Sequence, residues 1–325
     1  MTQKVAIGID LGGTNIKAGL LSQDGRLVRK LSVPTGQDKS PEGVVARMVE
    51  AARDVATQAG VGRDDLVGAG IGAPGGLTHK TGVIHRPPNL PEWGDVPLRD
   101  MLAEQLEMPC TLDNDANAAA MGEHRGGAGR GVDDLVLLTL GTGIGGGIIV
   151  GGRLVRGHYD CAAEIGHMIL FPGGRQCPCG QLGCFEAYAS ADSTARLAVE
   201  AIEAGEASSL KQLLEDGQTI GSREVQNAAE AGDGLAGRIW DQMCYYLAVG
   251  CVTIQHMTNP RRVLLGGGVV AAGEFLFEPV RRHLDRIKWH VTDDLPEIVP
   301  AALGNDAGIV GAAACLWAAK EAGEM

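Results

Sequence analysis

Two segments of the chain repeat one pattern, in which an apolar run enters a glycine-rich turn and returns as a second apolar run. The first is VAIGIDLGGTNIKAGLLS from residue 5, and the second is LVLLTLGTGIGGGIIV from residue 135. Short aliphatic and β-branched runs around glycine turns are typical of strand hairpins. Because the two hairpins lie about 130 residues apart in a chain of 325 residues, we expect two related domains facing each other.

Helical periodicity separates these hairpins from further buried strands. Helices are predicted at about 41–59, 97–106 and 115–125, and strands at 66–72 and 109–113. Residues 191–258 read as mostly helical, the run MCYYLAVGCVTIQHM within them is apolar on nearly every side, and a final helix begins at about 307. Alternation of strands and helices predicts an α/β fold, and the apolar run predicts a buried helix.

The charge of the chain restricts its partners. The formal net charge is −12, so nucleic acids and anionic membrane surfaces would repel the protein at long range. Residues 135–152 carry no charge, but seven of these 18 residues are glycine, which favours strand, turn and strand over a membrane helix. We therefore expect a small-molecule partner, with neither a nucleic-acid nor a membrane partner.

The N-terminal segment MTQKVAIGIDLGG shows no export signal, because it lacks both a long apolar core and a small-residue cleavage site. A cytoplasmic location is expected, where thiols stay reduced. Eight cysteines are then read as thiols or metal ligands before disulfides. Five of them lie in apolar settings and are predicted to be buried, inert thiols: Cys110, Cys161, Cys244, Cys251 and Cys315.

Three glycine turns follow apolar strands, in GIDLGGTN, LTLGTGIGGG and LLGGGV. Glycine lets backbone N–H groups approach phosphate oxygens and form an anion-binding nest, so three such turns indicate a triphosphate. The glycines at 141, 143 and 146 match G-x-G-x-x-G, yet a strand-like run follows them where the dinucleotide fingerprint requires a helix. No P-loop motif occurs either. Singly, each turn also fits an ordinary hairpin.

Two aspartates lie where carboxylates could act on a phosphorylated substrate. Asp10 ends the first strand beside the first glycine turn, where it could hold Mg²⁺ directly or through water or could merely initiate the turn. In LDNDANAAA, Asp115 lies where a short strand meets a helix. It could cap that helix or, as the base of a sugar kinase, accept a proton from an attacking hydroxyl.

The segment EIGHMILFPGGRQCPCGQLGCFEAYAS places a histidine ten residues before a cluster of three cysteines. His167, Cys177, Cys179 and Cys184 form a Cys₃His set, which describes a structural Zn²⁺ site with no free position. Such an ion would stabilise a loop with little apolar content of its own and hold Glu164, His167 and Glu186 as a rigid polar wall. A redox-active thiol cluster and plain free thiols are the alternatives.

The runs GIDLGGTNIKAG, NDANAAA, LGTGIGGGII and EIGHM…CPCGQLGCFEAYAS occur in the order seen in the ROK family (repressors, open reading frames, kinases), which the chain resembles from residue 4 to 320. The resemblance implies the actin-like, ribonuclease-H-like α/β ATPase fold, with two domains and a cleft between them that binds ATP and sugar and closes. It implies a smaller domain of residues 1–117 plus about 303–325, and a larger domain of residues 118–302 with the zinc loop at 164–186.

The resemblance also implies glucokinase activity, in which Mg·ATP phosphorylates D-glucose at its 6-hydroxyl to give glucose 6-phosphate. Asp115 matches the catalytic base, and the residues that match sugar-binding positions are Gly75, Gly76, Asn89, Asn114, Asp115, Glu164, His167 and Glu186. The nucleotide-side positions, with Asp10 for magnesium, are Gly12, Gly13, Thr14, Asn15, Thr142, Gly143 and Gly267. His167 would use one ring nitrogen for zinc and the other for sugar.

Other functions remain open within and outside the family. The same motifs serve kinases of other hexoses, such as N-acetylmannosamine or fructose. A sugar sensor would keep the glycine turns without a working base, and a zinc-ribbon interaction module would expose the cysteine segment to a partner. Repressors of the family carry an N-terminal DNA-binding helix-turn-helix, whereas about four residues precede the first strand of this chain. We expect a homodimer or homotetramer.

Overall fold

The computed structural model describes residues 4–87, 89–291 and 294–325. Its contacts divide the chain into two compact units. The first unit contains the residues up to Asp133, Gly147–Ala163 and the residues from Ala301 onward, and the second contains Asp134–Gly146 and Glu164–Pro300. The chain thus enters each unit more than once.

Strands dominate the first third of the chain and helices the remainder. In chain order, the first elements are β1 (Val5–Leu11), β2 (Asn15–Ser22), β3 (Leu27–Pro34), α1 (Pro41–Gln58), β4 (Leu66–Ala73), β5 (Gly76–Thr78), β6 (Val83–His85), β7 (Asp95–Val96), α2 (Leu98–Leu106), β8 (Cys110–Asn114) and α3 (Asp115–Gly126). They are followed by β9 (Leu135–Leu140), β10 (Ile144–Val150), β11 (Arg153–Leu154), α4 (Glu186–Ala189), α5 (Ala191–Glu203), α6 (Lys211–Glu215), α7 (Ser222–Glu230), α8 (Gly234–Thr258), β12 (Arg262–Gly266), α9 (Glu274–Ile287), β13 (Glu297–Pro300) and α10 (Ala307–Glu321).

The first unit is built on a five-stranded sheet of order β3-β2-β1-β4-β8. β1, β2 and β3 form the predicted antiparallel meander, and β4 is parallel to both β1 and β8. Glycine in two of these strands lets α10 approach the sheet backbone. An added Cβ at Gly8 would lie 1.8 Å from the carbonyl oxygen of Ile309, and one at Gly70 would lie 1.8 Å from that of Ala312. The aliphatic residues of these strands and of α1 and α2 form one core.

The second sheet has the order β11-β10-β9-β12-β13, and β12 is parallel to β9 and β13. The uncharged run at 135–152 forms the predicted strand, turn and strand. No helix formed by the described residues is long and apolar enough to cross a membrane. β5, β6 and β7 form a third, smaller sheet. The mixed α/β architecture predicted from the sequence is confirmed.

Most predicted elements agree with the structure to within one or two residues, but two predictions about burial are correct only in part. The MCYYLAVGCVTIQHM helix lies in α8 and buries Leu247 and Cys251, yet Tyr245 is 39% exposed and Met257 is 70% exposed. Of the five scattered cysteines, three are buried as predicted, whereas Cys110 is partly exposed and Cys161 is exposed. A single apolar residue in a polar loop has no periodic partners from which its burial could be predicted.

The boundary between units differs from the predicted one at 117/118. That position falls inside α3, whereas the contacts divide the chain at 133/134 and return residues 147–163 to the first unit. The reason is helix packing, because α3 lies against α10. An added Cβ at Gly311 of α10 would lie 1.6 Å from the carbonyl oxygen of Ala118 in α3. The two helices therefore belong to one core.

Glu123 fixes the end of α3 to the segment that re-enters the first unit. Its carboxylate is fully buried and accepts hydrogen bonds from the backbone N–H groups of Ala128 (2.8 Å), Ala302 (3.0 Å) and Leu303 (2.7 Å). We expect Glu123→Ala to lower the free energy of unfolding by about 3 kcal/mol, because three N–H groups lose their acceptor. Chemical denaturation measures this change. Glu321→Ala, which removes a half-exposed carboxylate, is the control and should cost less than about 1 kcal/mol.

Candidate active site

The predicted residues of the first unit come together at one edge of its sheet. Parallel strands end at the same edge, and β1, β4 and β8 are parallel. The first glycine turn follows β1, Gly75 follows β4, and Asp115 follows β8. Carboxyl ends of parallel strands are where open α/β sheets bind ligands. The pairing of strands thus gathers residues that are distant in sequence.

The first glycine turn is tight and well anchored. The N–H of Gly12 donates to the carbonyl of Asn15 (3.0 Å), and the hydroxyl of Thr35 donates to the carbonyl of Gly12 (2.8 Å). Lys39 Nζ donates to the carbonyl of Gly13 (2.7 Å). An added Cβ at Gly13 would lie 2.8 Å from Cβ of Asn89. A predicted nucleotide residue and a predicted sugar residue are therefore in contact within this unit.

Asp10 lies in β1 opposite Lys17 of β2. Its Oδ2 is 3.4 Å from Lys17 Nζ, which also donates to the carbonyl of Asn305 (3.2 Å). The carboxylate of Asp10 is 21% exposed, so it can still be reached by a hydrated cation. The pair places one negative and one positive group beside the first glycine turn, which suits a magnesium–phosphate ligand.

The corner between β8 and α3 carries Asn114 and Asp115. Asn114 caps the helix, because its Oδ1 accepts from the N–H groups of Ala116 (2.9 Å) and Asn117 (3.3 Å). Its Nδ2 is 3.4 Å from the carbonyl oxygen of Gly75. Asp115 is the first residue of α3 and is exposed. The cap function considered for Asp115 thus belongs to Asn114.

In the second unit, the predicted nucleotide residues lie at the carboxyl ends of β9 and β12. These strands are parallel, so the turn containing Thr142 and Gly143 and the turn containing Gly267 follow the same sheet edge. Gly267 has φ +88°, and a Cβ there would lie 2.3 Å from the carbonyl oxygen of Leu140. Only glycine fits this conformation and this approach without strain.

The four predicted metal ligands converge. The ligand atoms of His167, Cys177, Cys179 and Cys184 all lie within 4.8 Å of one another. The Sγ atoms of Cys179 and Cys184 are 3.7 Å apart, and Cys177 Sγ is 3.9 Å from Nδ1 of His167. Tetrahedral zinc with Zn–S bonds of about 2.3 Å spaces its sulfur ligands at about 3.8 Å. The group therefore fits a tetrahedral Zn²⁺ ion, with Nδ1 as the histidine ligand.

The surroundings of the cluster affect its thiols differently. Burial, together with the carboxylate of Glu186, raises the pKa of Cys177. Burial also raises the pKa of Cys184, whereas a hydrogen bond from the backbone N–H of Gln181 lowers the pKa of Cys179. A bound cation would compensate the charge of buried thiolates.

Glu186 joins the cysteine segment to the glycine turn of the same unit. Its Oε1 lies 2.9 Å from Cys177 Sγ and 3.6 Å from Nδ1 of His167, and its Oε2 accepts from the N–H of Ile144 (3.2 Å). Glu164 directly precedes the short 3₁₀ turn that ends at His167 and is exposed. The structure thus places Glu186, with His167 beside it, at the second unit's predicted nucleotide turn.

The cysteine segment has more apolar packing than the sequence indicated. The ring of Phe171 lies 4.7 Å from that of Tyr188 and 5.4 Å from that of Tyr246 in α8, measured between centroids. Buried Cys177 and Cys184 belong to the same small core as Tyr188. The expectation that this loop has little apolar content of its own therefore understated its packing, because α8 supplies an aromatic partner from a distant part of the chain.

Sequence reasoning missed the cations of the first unit. Lys17 and Lys39 both lie at the first glycine turn. Lys17 could have been found from strand pairing, since it lies opposite Asp10 in the predicted hairpin. Lys39 lies in a polar stretch without a motif, and only the folded chain brings it to Gly13.

Comparisons with known proteins show which family the chain is similar to. The family model described as ROK family matches residues 6–320. The glucokinase of Halalkalibacterium halodurans is 36% identical over 99% of this chain and 96% of its own length. The solved ROK hexokinase of Thermus thermophilus is 37% identical, with a TM-score of 0.79 over 95% of this chain and 97% of that one.

A second solved structure is that of a ROK family glucokinase from Streptomyces griseus in complex with glucose and AMPPNP. It is 35% identical, with a TM-score of 0.77 over 95% of this chain and 98% of that one. The family match covers nearly the whole chain, and the neighbours are ROK sugar kinases with the two-domain, actin-like ATPase fold. The chain therefore belongs to the ROK family.

Proposed function

We propose that this protein is an ATP-dependent glucokinase, which transfers the γ-phosphoryl group of ATP to the 6-hydroxyl of D-glucose. The observation that carries the proposal is the full-length similarity to the Streptomyces griseus glucokinase, whose structure contains glucose and AMPPNP. The convergence of the predicted residues at the carboxyl ends of parallel strands supports it independently.

Asp115 is the proposed general base. Phosphoryl transfer needs little covalent help from the protein, but the attacking hydroxyl must be oriented and its proton accepted. Asp115 is exposed at the first position of α3, and Asn114 fixes that corner by capping the helix and contacting the carbonyl of Gly75. A carboxylate held there can accept the proton of the sugar 6-hydroxyl as the new O–P bond forms.

The phosphates of Mg·ATP are proposed to bind at the predicted glycine turns, with the residues Gly12, Gly13, Thr14, Asn15, Thr142, Gly143 and Gly267. Backbone N–H groups in such turns bind phosphate oxygens. Asp10 would hold the magnesium ion directly or through water, and the ion would neutralise charge that develops on the phosphoryl group. Lys17 and Lys39 add positive charge beside the same turn.

The sugar hydroxyls are proposed to bind polar groups of Gly75, Gly76, Asn89, Asn114, Asp115, Glu164, His167 and Glu186. His167 places Nδ1 with the cysteines, which leaves Nε2 for a sugar hydroxyl. Structural Zn²⁺ is the proposed occupant of the Cys₃His cluster, where it would hold the segment from Glu164 to Glu186 in one arrangement.

The rate of ADP release from Mg·ATP, measured with and without D-glucose, tests the activity. We expect release that depends on glucose, and formation of glucose 6-phosphate in equal amount. The same assay with N-acetylmannosamine and with fructose compares the alternative kinases. Release with either of these sugars but not with glucose would replace glucokinase by that activity, and release with none of them would leave a sugar sensor.

The proposal includes a cytoplasmic homodimer or homotetramer. All eight cysteines are free thiols in the structure, as expected in a reducing compartment. Apolar side chains on the cysteine segment are exposed, with Ile169 at 52% and Leu182 at 45%, and such residues are common at contacts between subunits. Light scattering coupled to size exclusion measures the mass, and a mass of 33.8 kDa would refute the assembly.

A further inference from the structure

We propose that Arg156 is a positioning residue for phosphoryl transfer: it pairs with the buried Asp113 and so holds the corner of β8 and α3 that carries Asn114 and Asp115. This inference rests on the proposed function. It adds to the site a residue that belongs to none of the sequence motifs described above. Arg156 lies 43 positions from Asp113 in the sequence.

Asp113 is a buried carboxylate two residues before the proposed base. Its side chain is 1% exposed. Arg156 donates two hydrogen bonds to one oxygen, with Nε and Nη2 at 2.9 and 2.7 Å from Oδ2. Burial lowers the pKa of Arg156, but the charge of Asp113, its hydrogen bond to Arg156 and the charges of Cys315 and Glu324 together outweigh burial, so the pKa is raised. A buried carboxylate with a paired guanidinium is held in one place, because moving it would leave a charge uncompensated.

Other side chains also contact the carboxylate of Asp113. His79 Nδ1 lies 3.5 Å from Asp113 Oδ2 and 2.7 Å from the carbonyl oxygen of Leu112 in β8. Asn117 Nδ2 of α3 lies 3.4 Å from Asp113 Oδ1. The carboxylate is thus contacted by the segment after β5, the segment after β11 and the first turn of α3. Among these contacts, the one with Arg156 is short and consists of two hydrogen bonds.

The same arrangement extends to the loop that follows Arg156. The backbone N–H of His79 donates to Oδ2 of Asp160 (2.9 Å). Asp160 has φ +58° and Ala163 has φ +70°, a left-handed conformation that non-glycine residues rarely adopt. Such strain persists only where surrounding contacts fix it. The loop is therefore held at two points, by Arg156 to Asp113 at the end of β8 and by Asp160 to the backbone of His79.

Turnover should depend on this pair because Arg156 anchors the end of β8 directly behind Asn114 and Asp115. Asn114 Nδ2 reaches Gly75 at 3.4 Å, near the limit of a hydrogen bond. Asp115 itself is exposed. A displacement of about 1 Å in a reacting group can cost about 10²-fold in rate. The double hydrogen bond from Arg156 is shorter than the contacts that His79 and Asn117 make with the Asp113 carboxylate, behind the proposed base.

The experiment compares the wild type with Arg156→Met, Arg156→Lys and a control, Arg125→Met. Arg125 makes a similar two-bond pair with Glu321, at 2.9 and 2.6 Å, from the other end of α3. For Arg156→Met we expect kcat with glucose to fall about 10- to 100-fold, with both KM values changed less than about threefold. Arg156→Lys keeps the charge without the planar fork and should give an intermediate kcat. Arg125→Met should keep kcat within about twofold, whatever its effect on Tm.

Glucose titration by calorimetry reports the fraction of sites that are folded, so a loss of folded protein lowers stoichiometry rather than kcat per site. Turnover per site within about twofold of wild type in Arg156→Met would overturn the inference. If that variant does not fold, Arg156→Lys decides: wild-type kcat overturns the inference, and lowered kcat with unchanged KM supports it. A wild type without glucose-dependent ADP release would refute the proposed function, and the inference with it.

Discussion

Asp115→Asn is expected to lower kcat for glucose about 10²- to 10⁴-fold, which is the range that a positioned general base contributes. Asparagine has nearly the same shape, but its amide cannot accept the proton of the 6-hydroxyl. Asn114, which caps the helix, is unchanged, so Tm and glucose affinity should stay close to those of the wild type. Initial rates of ADP release and calorimetric glucose titration measure the two effects separately.

Asp100→Asn is the matched control. Asp100 also lies in the first turn of a helix of the first unit and is exposed, but it pairs with Arg99 in α2. Its replacement should leave kcat within about twofold. If Asp115→Asn kept wild-type turnover, Asp115 would not be the base. A fall in both variants would point to a general effect of charge on the first unit.

Loss of the cysteine cluster should have the second large effect. We expect the wild type to carry about one zinc ion per chain and Cys184→Ala to carry almost none, because three ligands bind zinc much more weakly than a closed tetrahedral set. Without the ion, His167 and Glu186 lose a common anchor. KM for glucose should therefore rise more than about tenfold, with a smaller change in KM for ATP. Elemental analysis and steady-state kinetics measure both.

Cys251→Ala controls for the loss of a buried thiol. Cys251 is fully buried in α8, where burial raises its pKa to about 12, and it lies outside the cluster. This variant should keep its zinc and its KM, with a modest loss of stability from the missing sulfur atom. Wild-type protein without bound zinc, prepared from zinc-containing medium, would refute the metal assignment even if the activity were confirmed.

The grouping of the four proposed metal ligands could be predicted because it depends on residue types and spacing. Thiolate and imidazole groups bind zinc when they lie close enough together. The three cysteines of the cluster lie within a stretch of eight residues. The choice of Nδ1 in His167 and the contact of Glu186 with Cys177 depend on side-chain direction. The packing of Phe171 on Tyr246 needed the approach of α8.

The corner at Asp115 could also be predicted only in part from the sequence. A strand that meets an alanine-rich helix at Asn-Asp is visible in the sequence, and the structure places that boundary between residues 114 and 115. Asn114 rather than Asp115 caps α3, because the capping residue is the one whose side chain reaches the first free N–H groups of the helix. The pairing of Asp113 with Arg156 joins two segments that carry no shared motif, so no pattern along the chain could have indicated it.

The sequence by itself determined the local features of this protein: its hairpins and helices, its glycine turns and the chemical types of its proposed ligands. These depend on periodicity, on conformational freedom at glycine and on side-chain chemistry, all of which act over a few residues. The division at 133/134, the position of Lys39 at Gly13 and the buried partner of Asp113 were decided only by the tertiary structure. They follow from packing and charge compensation between distant segments, which depend on how the elements are assembled.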